Sequence, residues 1–228
     1  MCGRARQVLD WQELKVKWWQ GQPALNVEPR WNAAPRQNLM MICAHADGDG
    51  AEALAMNWGF VPSWEKDPKG GRRPINAKAE SIAAGSGMWR ESFRRRRALL
   101  PVSGFYEWQT IGAAKQPYSI DPSDGGMMAL ASIWDRWSDP SSGETLTSFA
   151  VITCPPNATM AAIHDRMPVV IAPPDIEAWL RAPAEVAATM LKSCPDGALR
   201  VYPVSRRLGN VRNDSPDLLD PGGYFPAI

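Results

Sequence analysis

The sequence predicts an α+β protein built on an antiparallel or mixed sheet, in one domain. Three observations predict it. Short apolar and aromatic runs bounded by turn residues recur along the chain. The segments with helical spacing are short. No strand–helix–strand alternation of the kind that builds a parallel sheet is present.

The elements follow in order. A capping box opens the first helix, with Asp10 at the N-cap and Glu13 three residues on. Trp11, Leu14 and Trp18 recur at i, i+3 and i+7 and supply its apolar face. Gly21 and Pro23 end it. Arg30-Trp31-Asn32-Ala33-Ala34-Pro35 reads as a polar loop. Residues 39–44 and 53–58 read as a strand and its return, joined by the turn Asp47-Gly48-Asp49-Gly50. Residues 59–71, rich in Pro, Gly and Lys, form a long loop of the kind that carries function. A short helix is predicted over 89–97, ending in Arg94 to Arg97, a basic run that faces either phosphates or solvent. Residues 98–102 read as a buried strand. Further strands are predicted over 105–109, 118–120, 127–134 and 148–154, with turn chemistry at Asp121-Pro122 and Asp124-Gly125-Gly126. Asn157 has the position of an N-cap for a short helix through Ile163. Residues 168–171 read as a strand. Pro183 divides two helices, 175–180 and 184–192. Residues 199–203 are the last strand, and 209–228 are mostly loop.

Composition removes several function classes. The chain has 228 residues, 45% of them hydrophobic, enough to bury a core. A formal net charge of +1 excludes a polycation that coats nucleic acid by bulk charge. No apolar run approaches a membrane span, and the N-terminus lacks a secretory apolar region, so a cytoplasmic location without membrane contact is expected. The four cysteines, Cys2, Cys43, Cys154 and Cys194, form no CxxC pair and read as free thiols. With two histidines and no ligand cluster, no metal and no cofactor is expected. Most of the eleven tryptophans read as core or half-buried strand residues.

Met1-Cys2-Gly3-Arg4 carries the sharpest chemistry. Loss of Met1 leaves a cysteine bearing an α-amine and a thiol on adjacent carbons. Their reference pKa values, about 7.7–8.0 and about 8.5, leave both a reactive fraction near neutrality. Such a 1,2-aminothiol traps an aldehyde as an imine and then closes to a thiazolidine, the second step being intramolecular. An unremarkable frayed terminus is the alternative.

Three residues can serve Cys2. Glu107, in Gly104-Phe105-Tyr106-Glu107-Trp108, is either a solvent-side strand residue or an acid–base group raised by aromatic surroundings. His164, in Ile163-His164-Asp165-Arg166-Met167-Pro168, is either a proton carrier or a helix C-terminal cap. Asn76 offers a donor and an acceptor without charge, and is otherwise a turn residue. His45, in a polar turn, has no role. Arg4, Lys78 and Arg166 each lie beside one of these residues and can take backbone phosphates. Trp64 and Met88, in loop-like segments, can stack on or wedge beside bases.

Taken together, these segments resemble the SOS-response-associated peptidase (SRAP) family. The likeness also rests on Trp58-Gly59-Phe60-Val61-Pro62-Ser63-Trp64, Ile75-Asn76-Ala77-Lys78-Ala79-Glu80, Leu100-Pro101-Val102-Ser103 and Tyr202-Pro203-Val204-Ser205, in family order over nearly the whole chain. The resemblance implies a twisted, barrel-like, mostly antiparallel β core with short peripheral helices, and a monomer. It implies that the chain shields abasic sites in single-stranded DNA through a thiazolidine at Cys2. Asn76 would then orient the opened sugar. Glu107 would move protons at the amine and assist removal of Met1. His164 would act at the sugar oxygen. Arg4, Lys78 and Arg166 would contact phosphates, with Pro35, Trp64 and Met88 shaping the strand's path, and a bacterial protein would be nucleoid-associated when bound to DNA. Two residues depart from the family pattern. Lys78 replaces a common arginine and loses bidentate contact. Arg36, after Ala34-Pro35, stands where a small residue is common, as a phosphate contact or a surface charge. Two readings from other classes stay open: an amide hydrolase with an N-terminal cysteine nucleophile, and a non-catalytic single-strand binding module.

Overall fold

A computed structural model gives the architecture for residues 2–10, 14, 28–45, 50–67, 73–85 and 87–220. Its strands are β1 (Ala5–Gln7), β2 (Arg30–Ala33), β3 (Asn38–Ala44), β4 (Ala51–Trp58), β5 (Asn76–Lys78), β6 (Arg97–Val102) and β7 (Gly104–Ile111). They continue with β8 (Ala114–Pro122), β9 (Met128–Ser138), β10 (Thr145–Cys154), β11 (Met167–Pro168), β12 (Val170–Ile171) and β13 (Leu199–Pro203). Five short α-helices accompany them among the described residues: α1 (Ala79–Ala83), α2 (Gly87–Arg95), α3 (Ala158–Ala161), α4 (Ile176–Arg181) and α5 (Ala184–Ala188).

The larger sheet closes on itself. β10 pairs with β9, β9 with β6, β6 with β3 and β3 with β4, all antiparallel. β4 then returns to β10 through a short parallel pairing. The return is short, with only Asn57 and Trp58 of β4 facing Ser148 and Phe149 of β10. All six residues of β6, at the centre of the ring, are buried. The second sheet runs β13-β8-β7-β1-β2. One core cluster joins the two: Cys2, Ala5, Phe105 and Ile120 pack in it with Ile42, Leu99 and Val151. The α+β, barrel-like expectation holds.

Local patterning sets most elements. Asn157 caps α3 by accepting the Met160 N–H at 2.9 Å, the predicted N-cap. Pro183 divides α4 from α5, and α5 ends at Ala188 rather than 192. The predicted strand at 168–171 is two short pieces, because the N–H of Val169 donates to Ile152 and its carbonyl accepts from Ala131. The first helix lies outside the described residues except Leu14, which is helical and buried and donates its N–H to Asp10. Most of the turn at 47–50, the end of the 59–71 loop and residues 221–228 also lie outside them.

Three local readings are overturned. Residues 30–33 are strand β2, not loop. The buried Asn32 side chain donates to the carbonyls of Leu208, Asn210 and Asn213, so distant partners satisfy its polarity. Asp121-Pro122 is no turn. Both lie in β8, Asp121 is buried, and the turn begins at Ser123. Arg97 is not solvated: it is 4% exposed and donates to the carbonyls of Phe93, Trp179 and Ala182. Arg94 and Arg95 do face solvent, paired with Glu91. The strand β1 carried no sequence signal.

β1 is three residues long and begins three residues after Cys2, so its anchorage decides where Cys2 sits. The buried Arg6 supplies it. Its guanidinium donates to the hydroxyls of Ser103 and Ser119 and pairs with Asp121 at 2.9 Å. Asp121 also accepts from Ser119 and from the Tyr202 hydroxyl. Gly104 lies against this group: a Cβ there would be 2.5 Å from Asp121 Oδ1 and 2.8 Å from Arg6 Nη2. Gly104→Ala must therefore push apart a buried ion pair. We expect a loss on the order of 3 kcal/mol, read as a melting temperature lower by about 6–12 °C. An unchanged melting temperature would show that the pair yields without cost.

Candidate active site

The site is assembled where β1 runs beside β7. Ala5 faces Phe105 and Arg6 faces Gly104. The Tyr106 N–H donates to the Arg4 carbonyl at 3.0 Å, which carries the antiparallel contact one residue further toward Cys2. This brings the start of the chain to Glu107. Cys2 is wholly buried, and its carbonyl accepts a hydrogen bond from Asn76 Nδ2 at 2.9 Å. Asn76 is positioned by the parallel pairing of β5 with β10, where it faces Val151.

Electrostatics tie the residues further. Burial pushes the Cys2 thiol far above the ordinary thiol range, and the nearby Glu107 charge pushes it higher. Glu107 is 3% exposed, so the strand-surface alternative for it is removed. Burial raises its carboxyl, against a lowering by the amino-terminal charge and by His164. His164 is partly buried in the turn after α3, where its N–H bonds the Met160 carbonyl. Its Nδ1 accepts the Arg166 backbone N–H at 3.0 Å and lies 2.8 Å from Asp165 Oδ1.

Glu107, His164 and Arg4 line one cavity of about 700 Å³, together with Gly3, Trp108 and Lys115. The Arg4 guanidinium stands 5.8 Å from the Trp108 ring centroid, a cation–π contact. Burial lowers its pKa. Asn76 Oδ1 is buried and has no hydrogen-bond partner among the described residues. A second cavity of about 670 Å³, lined by Met127, Val170, Met190 and Leu199 among others, shares no residue with this one.

The other predicted residues, Pro35, Trp64, Lys78, Met88 and Arg166, do not line this cavity. Lys78 is exposed at the start of α1. Trp64 is 63% exposed and Met88 37% exposed. Pro35 is half-buried in the turn between β2 and β3. Arg166 is more committed than its sequence context implied. Its guanidinium holds Glu80 through two hydrogen bonds, of 2.5 and 2.8 Å, and donates to the Thr153 carbonyl at 2.6 Å. These bonds hold the Glu80 carboxyl down at about 2. A phosphate reaching Arg166 must share it with Glu80. In the sequence Glu80 and Trp108 stand out only as motif members, and Arg6 carries no signal at all. Each acts through a partner distant in sequence. All four cysteines are free, and no group of His, Cys, Asp or Glu able to hold a metal is found among the described residues. No helix of the described residues is long and apolar enough to cross a membrane.

Comparison with known proteins gives the family and the fold. Residues 1–211 match the family model described as SOS response associated peptidase (SRAP). The chain is 30% identical over 230 residues to the abasic site processing protein YoqW of Bacillus subtilis, covering 96% of this chain and 99% of that protein. It is 29% identical to the abasic site processing protein YedK of Escherichia coli, covering 84% of each. A solved structure of a protein from Bacteroides thetaiotaomicron superposes with a TM-score of 0.85 at 22% identity, covering 96% of this chain and 99% of that one, which speaks to the fold.

Proposed function

The chain belongs to the SOS response associated peptidase family, and from that premise we propose that it traps the aldehyde of abasic sites in single-stranded DNA as a thiazolidine on Cys2. One observation carries the proposal. A cysteine one residue from the start of the chain is wholly buried, with its carbonyl held by Asn76 and its thiol within the field of the buried Glu107.

The chemistry runs in order. Met1 is removed, with Glu107 assisting, and the α-amine then belongs to Cys2. The abasic sugar opens to its aldehyde. His164 donates to the sugar oxygen, and Asn76 Oδ1 accepts from the released hydroxyl. Glu107 takes a proton from the ammonium, and the free amine adds to the aldehyde carbon. Loss of one water gives the imine. The thiol adds second, because its raised pKa keeps it as S–H and a poor first nucleophile. Sulfur bonds to the imine carbon, the thiol proton passes to nitrogen, and the five-membered ring closes. Closure removes the iminium electron sink and suppresses strand cleavage by β-elimination. Arg4 at the cavity wall, with Lys78 and Arg166, takes phosphates, while Pro35, Trp64 and Met88 guide the strand. We further propose that the protein acts as a monomer in the cytoplasm, at the nucleoid when bound to DNA.

Intact mass tests the reading. The purified protein should lack Met1. After incubation with a single-stranded abasic oligonucleotide it should gain the oligonucleotide's mass less one water. A protein that keeps Met1 and gains no mass would overturn it.

A further inference from the structure

The turn between β2 and β3 contains a residue that does not suit it. The Gln37 N–H bonds the Ala34 carbonyl at 3.3 Å, closing a four-residue turn with Pro35 second and Arg36 third. Arg36 has φ +73°, the one non-glycine residue in the left-handed region among those described. Glycine is the unstrained choice at such a position. The backbone is nevertheless held there: the Arg36 N–H donates to the Trp58 carbonyl at 2.8 Å, and its own carbonyl accepts from Asn57 Nδ2 at 2.8 Å.

The side chain explains what the strained position accomplishes. Arg36 is exposed and runs across Gly59 to Arg73. A Cβ placed on Gly59 would lie 3.4 Å from Arg73 Cβ and 3.6 Å from Arg36 Nη1. Gly59 is the floor between two arginines. Their like charges act on each other: beyond burial, Arg36 lowers the pKa of Arg73. Arg36 makes no ion pair among the described residues. Arg73 stands three residues before Asn76, which holds Cys2, about 10 Å along an extended chain. Pro35 adjoins Arg36, and the Phe60 N–H bonds the Pro74 carbonyl, so the loop bearing Trp64 leaves from the same edge.

We propose that Arg36 and Arg73 form a phosphate subsite for the DNA strand as it approaches the reacting sugar. Two adjacent cations gain from an anion between them, and a strained backbone persists where the surrounding structure enforces it at a working site. The subsite rests on the abasic-DNA reading above and extends it to residues that the family pattern leaves unassigned.

Binding of an intact, aldehyde-free single-stranded oligonucleotide, followed by fluorescence anisotropy across a salt series, isolates the subsite from the covalent step. Arg36→Gly relieves the positive φ, so its melting temperature should equal or exceed that of the wild type. Its affinity should nonetheless fall about fourfold at 0.15 M salt, and the slope of log affinity against log salt should shrink by about 0.7, the share of one single-strand phosphate. Arg73→Gln should do the same to the slope, and Arg36→Lys should restore most of it. A wild-type chain that binds with an Arg36→Gly slope equal to its own would overturn the subsite alone. A wild-type chain with no salt-dependent binding would overturn the DNA reading beneath it.

Discussion

Cys2→Ala loses the heat-stable adduct with abasic single-stranded DNA altogether. The α-amine survives this change, so an imine still forms and can be trapped by borohydride. Nothing then closes the ring. The thiol it lacks acts intramolecularly, where effective molarities reach about 10⁵ M and above, and no free thiol in solution replaces that. Cys2→Ser keeps a hydroxyl in place of sulfur and should give an adduct that is weaker and shorter-lived than the wild type's. Both variants should cleave the abasic strand more than the wild type does, because their imine retains its electron sink. The fold should survive, since Cys2→Ala removes one buried atom at a cost of about 1 kcal/mol. Denaturing gels after heating, with and without borohydride, check each step. A Cys2→Ala protein that still carries DNA after heating without reductant would sink the thiazolidine.

Glu107→Gln should slow crosslinking by about 10²- to 10⁴-fold, the usual contribution of a positioned acid–base group, and should stabilise the protein at neutral pH. The sign follows from its raised pKa. The folded state binds the Glu107 proton more tightly than the unfolded chain does. Below the unfolded value of about 4.3 both states are protonated and the carboxyl costs nothing. As pH rises from there through the folded value, the unfolded state releases its proton first and stability falls; above that window the full cost of a buried charge persists. Glutamine is neutral at every pH and escapes it. Melting temperatures of the two proteins should therefore coincide in acid and separate toward neutrality, with the variant higher. The wild-type rate should fall as pH drops through the same window, and the variant should lack that limb. A variant less stable than the wild type at pH 7 would show that Glu107 is held mainly by compensating partners rather than tolerated for its chemistry.

Much of the site was legible because its residue types are rare in their settings. An aminothiol at a terminus, a lone acid among aromatics, and a histidine at a helix end each stand out in one dimension. What could not be read was whether they meet. Local pattern favours a solvent-facing strand position for Glu107, and its 3% exposure overturns that. Arg166 reads as a loose cation beside His164, yet its fork is closed on Glu80, 86 residues away. Arg6, which anchors the strand that follows Cys2, gave no local sign.

By itself the sequence determined the strand-rich class, the cap at Asn157, the helix break at Pro183, the buried strand at 98–102 and the aminothiol chemistry that Cys2 would offer without Met1, since these rest on periodicity, capping and side-chain chemistry within a few residues. The tertiary structure alone decided that residues 30–33 are strand, that Asp121 and Arg97 are buried, and that Cys2, Asn76, Glu107 and His164 share one place. The reason is that a polar group's fate depends on its partner, and these partners lie about 70 to 180 residues away along the chain.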